Sequence, residues 1–322
     1  MNKIIKNFNK QFSYEPKIEN ADALKKFGKF LIVGMGGSGL AGGLLKTWNP
    51  CLDIVLHNDY GLPALPEDYL KNCLIVANSY SGNTEEVISA FEEAGKKGYA
   101  LAAIAAEPGG KLLELAKKES VPFVAMPDGI PPRSAIGYSF RALLALIGES
   151  GALKESGELA KSFNPSEFEE QGKKIAKLLR GKIPTIYASN KNAALAYNWK
   201  IRFNENSKSP AFSNLLPEVN HNEMAGFDGG PEVKELSQKF HFIFLKDYSD
   251  DEKIIKRMDI LAKLYQEKGL PVSIIDMNQN NIFERIFSSI ILADWTSYYL
   301  AKEYGVDPEK TPMIEEFKRL MK

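Results

Sequence analysis

Short apolar runs alternate with amphipathic stretches along the whole chain. "KFLIVG" (Lys29–Gly34) reads as a buried strand that enters a glycine-rich turn, with a helix expected from about Leu40. "LDIVLHN", "CLIVAN", "YALAAIAA" and "VPFVAM" read as further strands, and "EEVISAFEEAGKKG" has the period of a helix. A helix near Ala135 to Ile147 closes this half. The next stretch, "GESGALKESGELAKSFNPSEFEEQGKK", is polar and broken by Gly and Pro, which places a domain boundary near residue 152. The theme then returns: strand "IPTIYAS", helix "NAALAYNWKIRFNEN", strand "FHFIFLKD", helix "DEKIIKRMDILAKLYQEKG", strand "PVSIIDM", and a long helix from about Ile282 to Glu303. A last helix begins in "EKTPMIEEFKRLMK", with Thr311 ahead of Pro312 as its N-cap. Continuous apolar strands alternating with helices predict parallel sheets covered on both faces. The expected fold class is α/β, with two domains, 1–152 and 153–322, each a mostly parallel sheet flanked by helices. The halves look like copies of one architecture without a residue-level repeat.

Composition narrows the function. The 322 residues are 44% hydrophobic and 25% charged, which describes a folded chain. Basic and acidic side chains number 41 each, so the chain lacks the basic excess of a general nucleic-acid binder. Cys51 and Cys73 lie in or beside apolar runs and are expected to be buried free thiols. The histidines are His57, His221 and His241, and no Cys/His cluster has metal-ligand spacing, so no metal site is expected. "MNKIIKNFNKQF" has no apolar core of signal-peptide length, and no run approaches a membrane span, so the expectation is a cytoplasmic protein.

Two turns carry candidate chemistry. "GMGGSG" gives Gly34-x-Gly36-x-x-Gly39 between a strand and a helix, the spacing of a dinucleotide fingerprint, with Asp59 near the end of the next strand. Against a nicotinamide or flavin enzyme stand Ser38 inside the turn and a second turn, "NSYSGNTEEV", after the third strand. There Ser79, Ser81 and Thr84 offer hydroxyl donors beside the N–H groups of a helix N-terminus, a set suited to a sugar phosphate without Lys or Arg. Helix capping by the same Ser and Thr is the plainer alternative.

"GMGGSGLAGG" and "NSYSGNTEEV" resemble the two phosphate-side loops of the sugar isomerase (SIS) domain, with Gly36, Gly37 and Ser38 in the first. "PPRSAIGYSF", "RFNENSKSPAF", "LPEVNHNEMAGF" and "KTPMIEEFKRLMK" resemble, in the same order, the bifunctional phosphoglucose/phosphomannose isomerases. The resemblance implies two SIS-type domains and reversible conversion of glucose 6-phosphate or mannose 6-phosphate to fructose 6-phosphate through a cis-enediolate, with no metal or organic cofactor. It also implies an active site between the domains of a homodimer.

The resemblance implies roles residue by residue. Glu205 is similar to the base that carries the proton between C1 and C2. His221 resembles the ring-opening acid/base contributed by the partner subunit, with Glu218 or Glu223 to orient it; the sequence leaves that choice open. Lys318 resembles the C-terminal lysine that assists ring opening, and Arg133 the cation that stabilises the enediolate. Thr311 resembles the threonine that leaves room at C2 for either epimer. Ser134 departs from the threonine common after that arginine, and keeps its hydroxyl. His57 and His241 are expected to be structural. The alternatives are a sugar-phosphate-binding regulatory protein without chemistry, and an isomerase of a single or a different sugar phosphate. Sugar 6-phosphates are the expected partners, with no nucleic acid and no membrane.

Overall fold

The computed structural model describes residues 1–321. The chain divides into two compact units: Lys6–Asn164, and Met1–Ile5 together with the chain from Pro165 on.

The first unit holds strands β1 (Ile18–Glu19), β2 (Lys29–Val33), β3 (Asp53–His57), β4 (Leu74–Asn78), β5 (Leu101–Ala106) and β6 (Phe123–Met126). Their order is β1-β6-β5-β4-β2-β3, parallel except for β1, which runs antiparallel to β6. All five residues of β4 are buried, because the strand is central and covered on both faces; this is why "CLIVAN" is a continuous run rather than an alternation. Helices α1 (Gly36–Trp48), α2 (Glu85–Lys96), α3 (Gly110–Lys118) and α4 (Ile136–Leu146) flank the sheet. α1 starts at Gly36, four residues before the expected Leu40, so the glycine turn is itself the first turn of the helix. One core cluster gathers Leu31, Ile75, Val87, Phe91, Ala103 and Leu113 from strands and helices.

The expected boundary at 152 is corrected to Asn164/Pro165. Two helices, Ser150–Gly157 and Leu159–Ser162, belong to the first unit. The Arg141 guanidinium is buried and needs acceptors. It finds them in the Leu153 carbonyl (2.8 Å), Ser156 Oγ (3.0 Å) and Glu15 (2.9 Å). Asn9 Nδ2 donates to the Ala160 carbonyl at 3.0 Å. The polar look of this segment is the look of its outer face. The N-terminal short helix Asn2–Lys6, β1 and the 3-10 turn Phe8–Ser13 had no signature in the pattern.

The second unit holds β7 (Ile183–Ser189), β8 (Phe212–Leu216), β9 (Phe240–Asp247) and β10 (Val272–Met277) in the order β10-β9-β7-β8, all parallel. Around it lie α5 (Glu169–Leu179), α6 (Ala193–Arg202), α7 (Glu252–Glu267) and α8 (Ile282–Tyr304), and α9 (Pro312–Leu320) follows. α8 is buried over most of its length. Asn281 Oδ1 accepts from the amides of Phe283 (2.9 Å) and Glu284 (3.0 Å) at its start, and Gly305 closes it with φ 66°. β8 alternates half-buried and exposed positions at the sheet edge, and the apolar pattern did not reveal it. No helix among the described residues is long and apolar enough to cross a membrane.

Cys73 is buried as expected, and burial pushes its thiol up to about 11. Cys51 corrects the expectation: it is exposed in the turn before β3. Its neighbours in sequence are turn residues, not strand. His241 sits inside β9, 3% exposed, with Nε2 2.8 Å from Ser273 Oγ. Desolvation pulls its pKa down from 6.5 to about 4. The unfolded chain therefore binds one more proton than the fold between those pH values, and stability falls as pH drops through that window. The expected loss is up to about 3 kcal/mol by pH 4. Urea unfolding between pH 7 and pH 4.5 checks it: His241→Gln should flatten this part of the slope, and an unchanged slope would reject the assignment.

Candidate functional site

In the first unit the strand order reverses between β2 and β4. The connection from β2 leads outward to β3 on one side, while β4, β5 and β6 build on the other. Turns leaving such a pair diverge, so a crevice opens at the carboxyl ends of the strands. The glycine turn leaves β2 there and the serine turn leaves β4. Tyr80 N donates to Ser38 Oγ at 3.1 Å, and Asn78 Nδ2 donates to the Ser38 carbonyl at 2.9 Å and to Ser139 Oγ at 2.7 Å. Ser38 is thus the stitch between the two turns. Its hydroxyl accepts from the serine turn.

The serine turn decides between capping and a cup. Thr84 occupies the N-cap position of α2 with extended φ and ψ, but its side chain makes no capping bond. Its Oγ1 lies 2.8 Å from Ser79 Oγ, and Ser81 Oγ lies 3.5 Å from the same oxygen. Ser79 is buried, Thr84 half-buried and Ser81 exposed. Three hydroxyls therefore converge on one spot before a helix N-terminus, leaving the helix its amides for an anion.

Arg133 lies beside the glycine turn. A Cβ at Gly37 would stand 2.9 Å from Arg133 Cα, so only glycine lets the backbones approach this closely. Arg133 is 5% exposed, and Pro131 and Pro132 lead into the 3-10 turn Pro132–Ser134 that carries it. Gly36, Gly37, Ser38, Ser79, Ser81, Thr84 and Arg133 are thus grouped in the first unit.

Glu205, in the second unit, sits on a single π-helical turn, Phe203–Ser207, that continues α6. Such turns recur at functional sites because one wide turn redirects a side chain. Two contacts fasten it to α8. Arg202 and Asp294 form an ion pair at 2.8 Å with both side chains almost fully buried, a contact of charges more than an aligned hydrogen bond. Asn206 Nδ2 donates to Ser297 Oγ at 2.9 Å. Lys208, at φ 54°, ends the turn, and its Nζ donates to the Glu205 carbonyl at 2.8 Å. Glu205 itself remains half-buried.

His221 is exposed, on the turn that follows β8. Its backbone N donates to the Glu218 carbonyl at 2.9 Å. Neither candidate glutamate hydrogen bonds the ring. Glu218 accepts from Asn222 Nδ2 at 2.6 Å, while Glu223 accepts from the Tyr187 hydroxyl at 2.7 Å and from Asn214. Glu223 therefore anchors the histidine loop to the core of its unit. Thr311 does occupy the N-cap position of α9, yet its hydroxyl makes no capping bond. Lys318 is exposed on α9, which buries none of its residues.

Comparisons with known proteins give this geometry its family. A model of the "bacterial phospho-glucose isomerase C-terminal SIS domain" matches residues 168–321. A bifunctional phosphoglucose/phosphomannose isomerase of Aquifex aeolicus is 35% identical over 99% of this chain and 98% of its own. The chain belongs to the bifunctional phosphoglucose/phosphomannose isomerase family. A D-glucosamine-6-phosphate 4-epimerase of Sulfolobus acidocaldarius is 31% identical over 96% of this chain and 94% of its own. Glucosamine-6-phosphate deaminase from Thermotoga maritima shares the fold, with a TM-score of 0.69 and 18% identity over 97% of each chain.

This member of the isomerase family treats its two crevices differently. In the second unit the order reverses between β7 and β9, and Asp247, at the end of β9, fills the crevice with its own carboxylate. It accepts from Ser249 N (2.9 Å), Ser249 Oγ (2.7 Å), Asn192 Nδ2 (3.1 Å) and Lys191 Nζ (3.1 Å). Burial works to raise the Asp247 pKa, but these donors hold it below the ordinary carboxylate range. The hydroxyl cup of the first unit contains no such internal anion. Sequence reasoning missed Arg202, Asp294, Asn206 and Asp247 as supporting residues. One signal for Asp294 was there: a lone carboxylate in the apolar run "IILADWTSYY" needs a buried partner.

Proposed function

We propose that the chain catalyses the reversible isomerisation of glucose 6-phosphate and mannose 6-phosphate to fructose 6-phosphate, without a metal. The observation that carries this reading is the Ser79–Ser81–Thr84 cup, whose threonine turns to the neighbouring serine instead of capping its helix. Family membership supplies the reaction class. The cup and the amides of α2 hold the phosphate dianion. Lys318 and His221, the latter from the partner subunit of a homodimer, open the ring. Glu205 takes the proton from C2 of the open aldose, and the C–H electron pair forms the C1–C2 double bond of a cis-enediolate as the C1=O π pair moves onto O1. The proton returns to C1 while O1 gains a proton and O2 gives one up to become the ketose carbonyl. Arg133 balances the charge on the enediolate oxygens. The exposure of His221 supports a role outside its own subunit.

The test is a paired assay with EDTA present, giving the protein glucose 6-phosphate or mannose 6-phosphate and measuring fructose 6-phosphate. Turnover of both establishes the dual isomerase; turnover of neither overturns it. The epimerase relative favours a second reading, action at C4 of an amino-sugar phosphate, so glucosamine 6-phosphate is included as a third substrate. Thr311 is half-buried, and its hydroxyl serves no cap. If its small size admits either C2 epimer, Thr311→Gln should lower mannose 6-phosphate turnover at least about tenfold more than glucose 6-phosphate turnover. Equal loss of both would remove Thr311 from specificity.

A further inference from the structure

We propose that Gln11 is the positioning residue for Arg133, a proposal that rests on the reading of Arg133 as the enediolate cation. Gln11 comes from the Phe8–Ser13 turn and is 3% exposed. Its Nε2 donates to the Ser134 carbonyl at 2.7 Å, next to Arg133 in the chain. Its Oε1 accepts from the amides of Gly137 (2.9 Å) and Tyr138 (3.2 Å), in the first turn of α4. Ala135, the N-cap residue of α4, has no side chain to cap with, and Gln11 supplies that function from a distant segment. A Cβ at Gly137 would stand 2.8 Å from Gln11 Oε1, so glycine there makes room for the amide.

The Arg133 backbone is therefore fixed from two sides: by the close approach of Gly37, and by the Gln11 amide through Ser134 and the start of α4. Gln11 lies outside the hydroxyl cup. Releasing it lets the Pro132–Ser134 turn shift without disturbing the phosphate donors. A misplacement of about 1 Å at a charge-stabilising group costs rate far more than ground-state binding.

The test is a double-mutant cycle on the full chain. The kcat for glucose 6-phosphate and the Kd for inorganic phosphate are measured for the wild type, Gln11→Met and Gln11→Glu, each also in an Arg133→Ala background. Gln11→Met keeps the volume and removes all three bonds. Gln11→Glu keeps an acceptor for the two amides but turns a carboxylate oxygen toward the Ser134 carbonyl in place of the donor. Gln11→Met and Gln11→Glu should each lower kcat by about 10- to 100-fold, with phosphate Kd within about twofold. In the Arg133→Ala background Gln11→Met should change kcat by less than about twofold, because the group it positions is gone. An equal loss in both backgrounds, or phosphate affinity falling with kcat, makes Gln11 merely structural and overturns the proposal. If Gln11→Met does not fold, Gln11→Glu decides in the same cycle. An active wild type with normal Gln11 variants overturns this proposal alone. A wild type that turns over no substrate overturns the proposed function, and this inference with it.

Discussion

Glu205→Gln is expected to lower turnover of glucose 6-phosphate and mannose 6-phosphate by about 10²- to 10⁴-fold, the range for loss of a general base. The amide has nearly the volume of the carboxylate and cannot accept the C2 proton. The π turn that carries it is held by Arg202, Asn206 and Lys208, not by the Glu205 carboxylate alone, so the backbone should keep its course. Inorganic phosphate should bind with unchanged affinity, because the proposed donors lie in the first unit on the turn after β4. Steady-state kinetics with phosphate as a competitive inhibitor separates the two quantities. A kcat within threefold of the wild type would remove Glu205 from the proton transfer.

Arg202→Ala is expected to destabilise the fold by about 3–5 kcal/mol, the usual cost of removing one partner from a buried ion pair. Its loss takes away the guanidinium 2.8 Å from Asp294 in the middle of α8, where the side chain is almost fully buried. A carboxylate in that position protonates or draws in water, and either response loosens α8 from α6. Chemical denaturation monitored by far-UV circular dichroism checks the figure. The double replacement Arg202→Met with Asp294→Leu should restore most of the stability, since two apolar side chains fill the same space without a charge. A small loss in the single variant, or no recovery in the double, would show that the pair carries little of the stability.

Strands and their order of appearance were legible because a buried parallel strand has to be a continuous apolar run. β7 and β9 span the runs "IPTIYAS" and "FHFIFLKD". Two of the four edge strands escaped the same reasoning, whereas β3 and β10 kept enough apolar residues to be read. β1 is two residues long, and β8 alternates on a half-covered face, so neither concentrates apolar residues. The boundary at 152 failed for a related reason: the helices after Gly148 are polar outside and serve Arg141 inside. A one-dimensional composition shift averages the two faces.

The chemistry divides in the same way. The sequence alone determined the α/β class, the two turns after buried strands, the hydroxyls of Ser79, Ser81 and Thr84, and the family motifs that single out Glu205, His221, Arg133, Thr311 and Lys318. Those features are local: a residue type next to a strand end carries its meaning over a few positions. Only the tertiary structure decided that Thr84 bonds Ser79 and leaves its helix uncapped, and that neither Glu218 nor Glu223 holds the His221 ring. It alone showed that Asp294 partners Arg202, and that Gln11 reaches more than a hundred residues along the chain to Ser134 and Gly137. A buried polar group must find a partner, but sequence separation places no limit on where, so the partner's identity belongs to the packing.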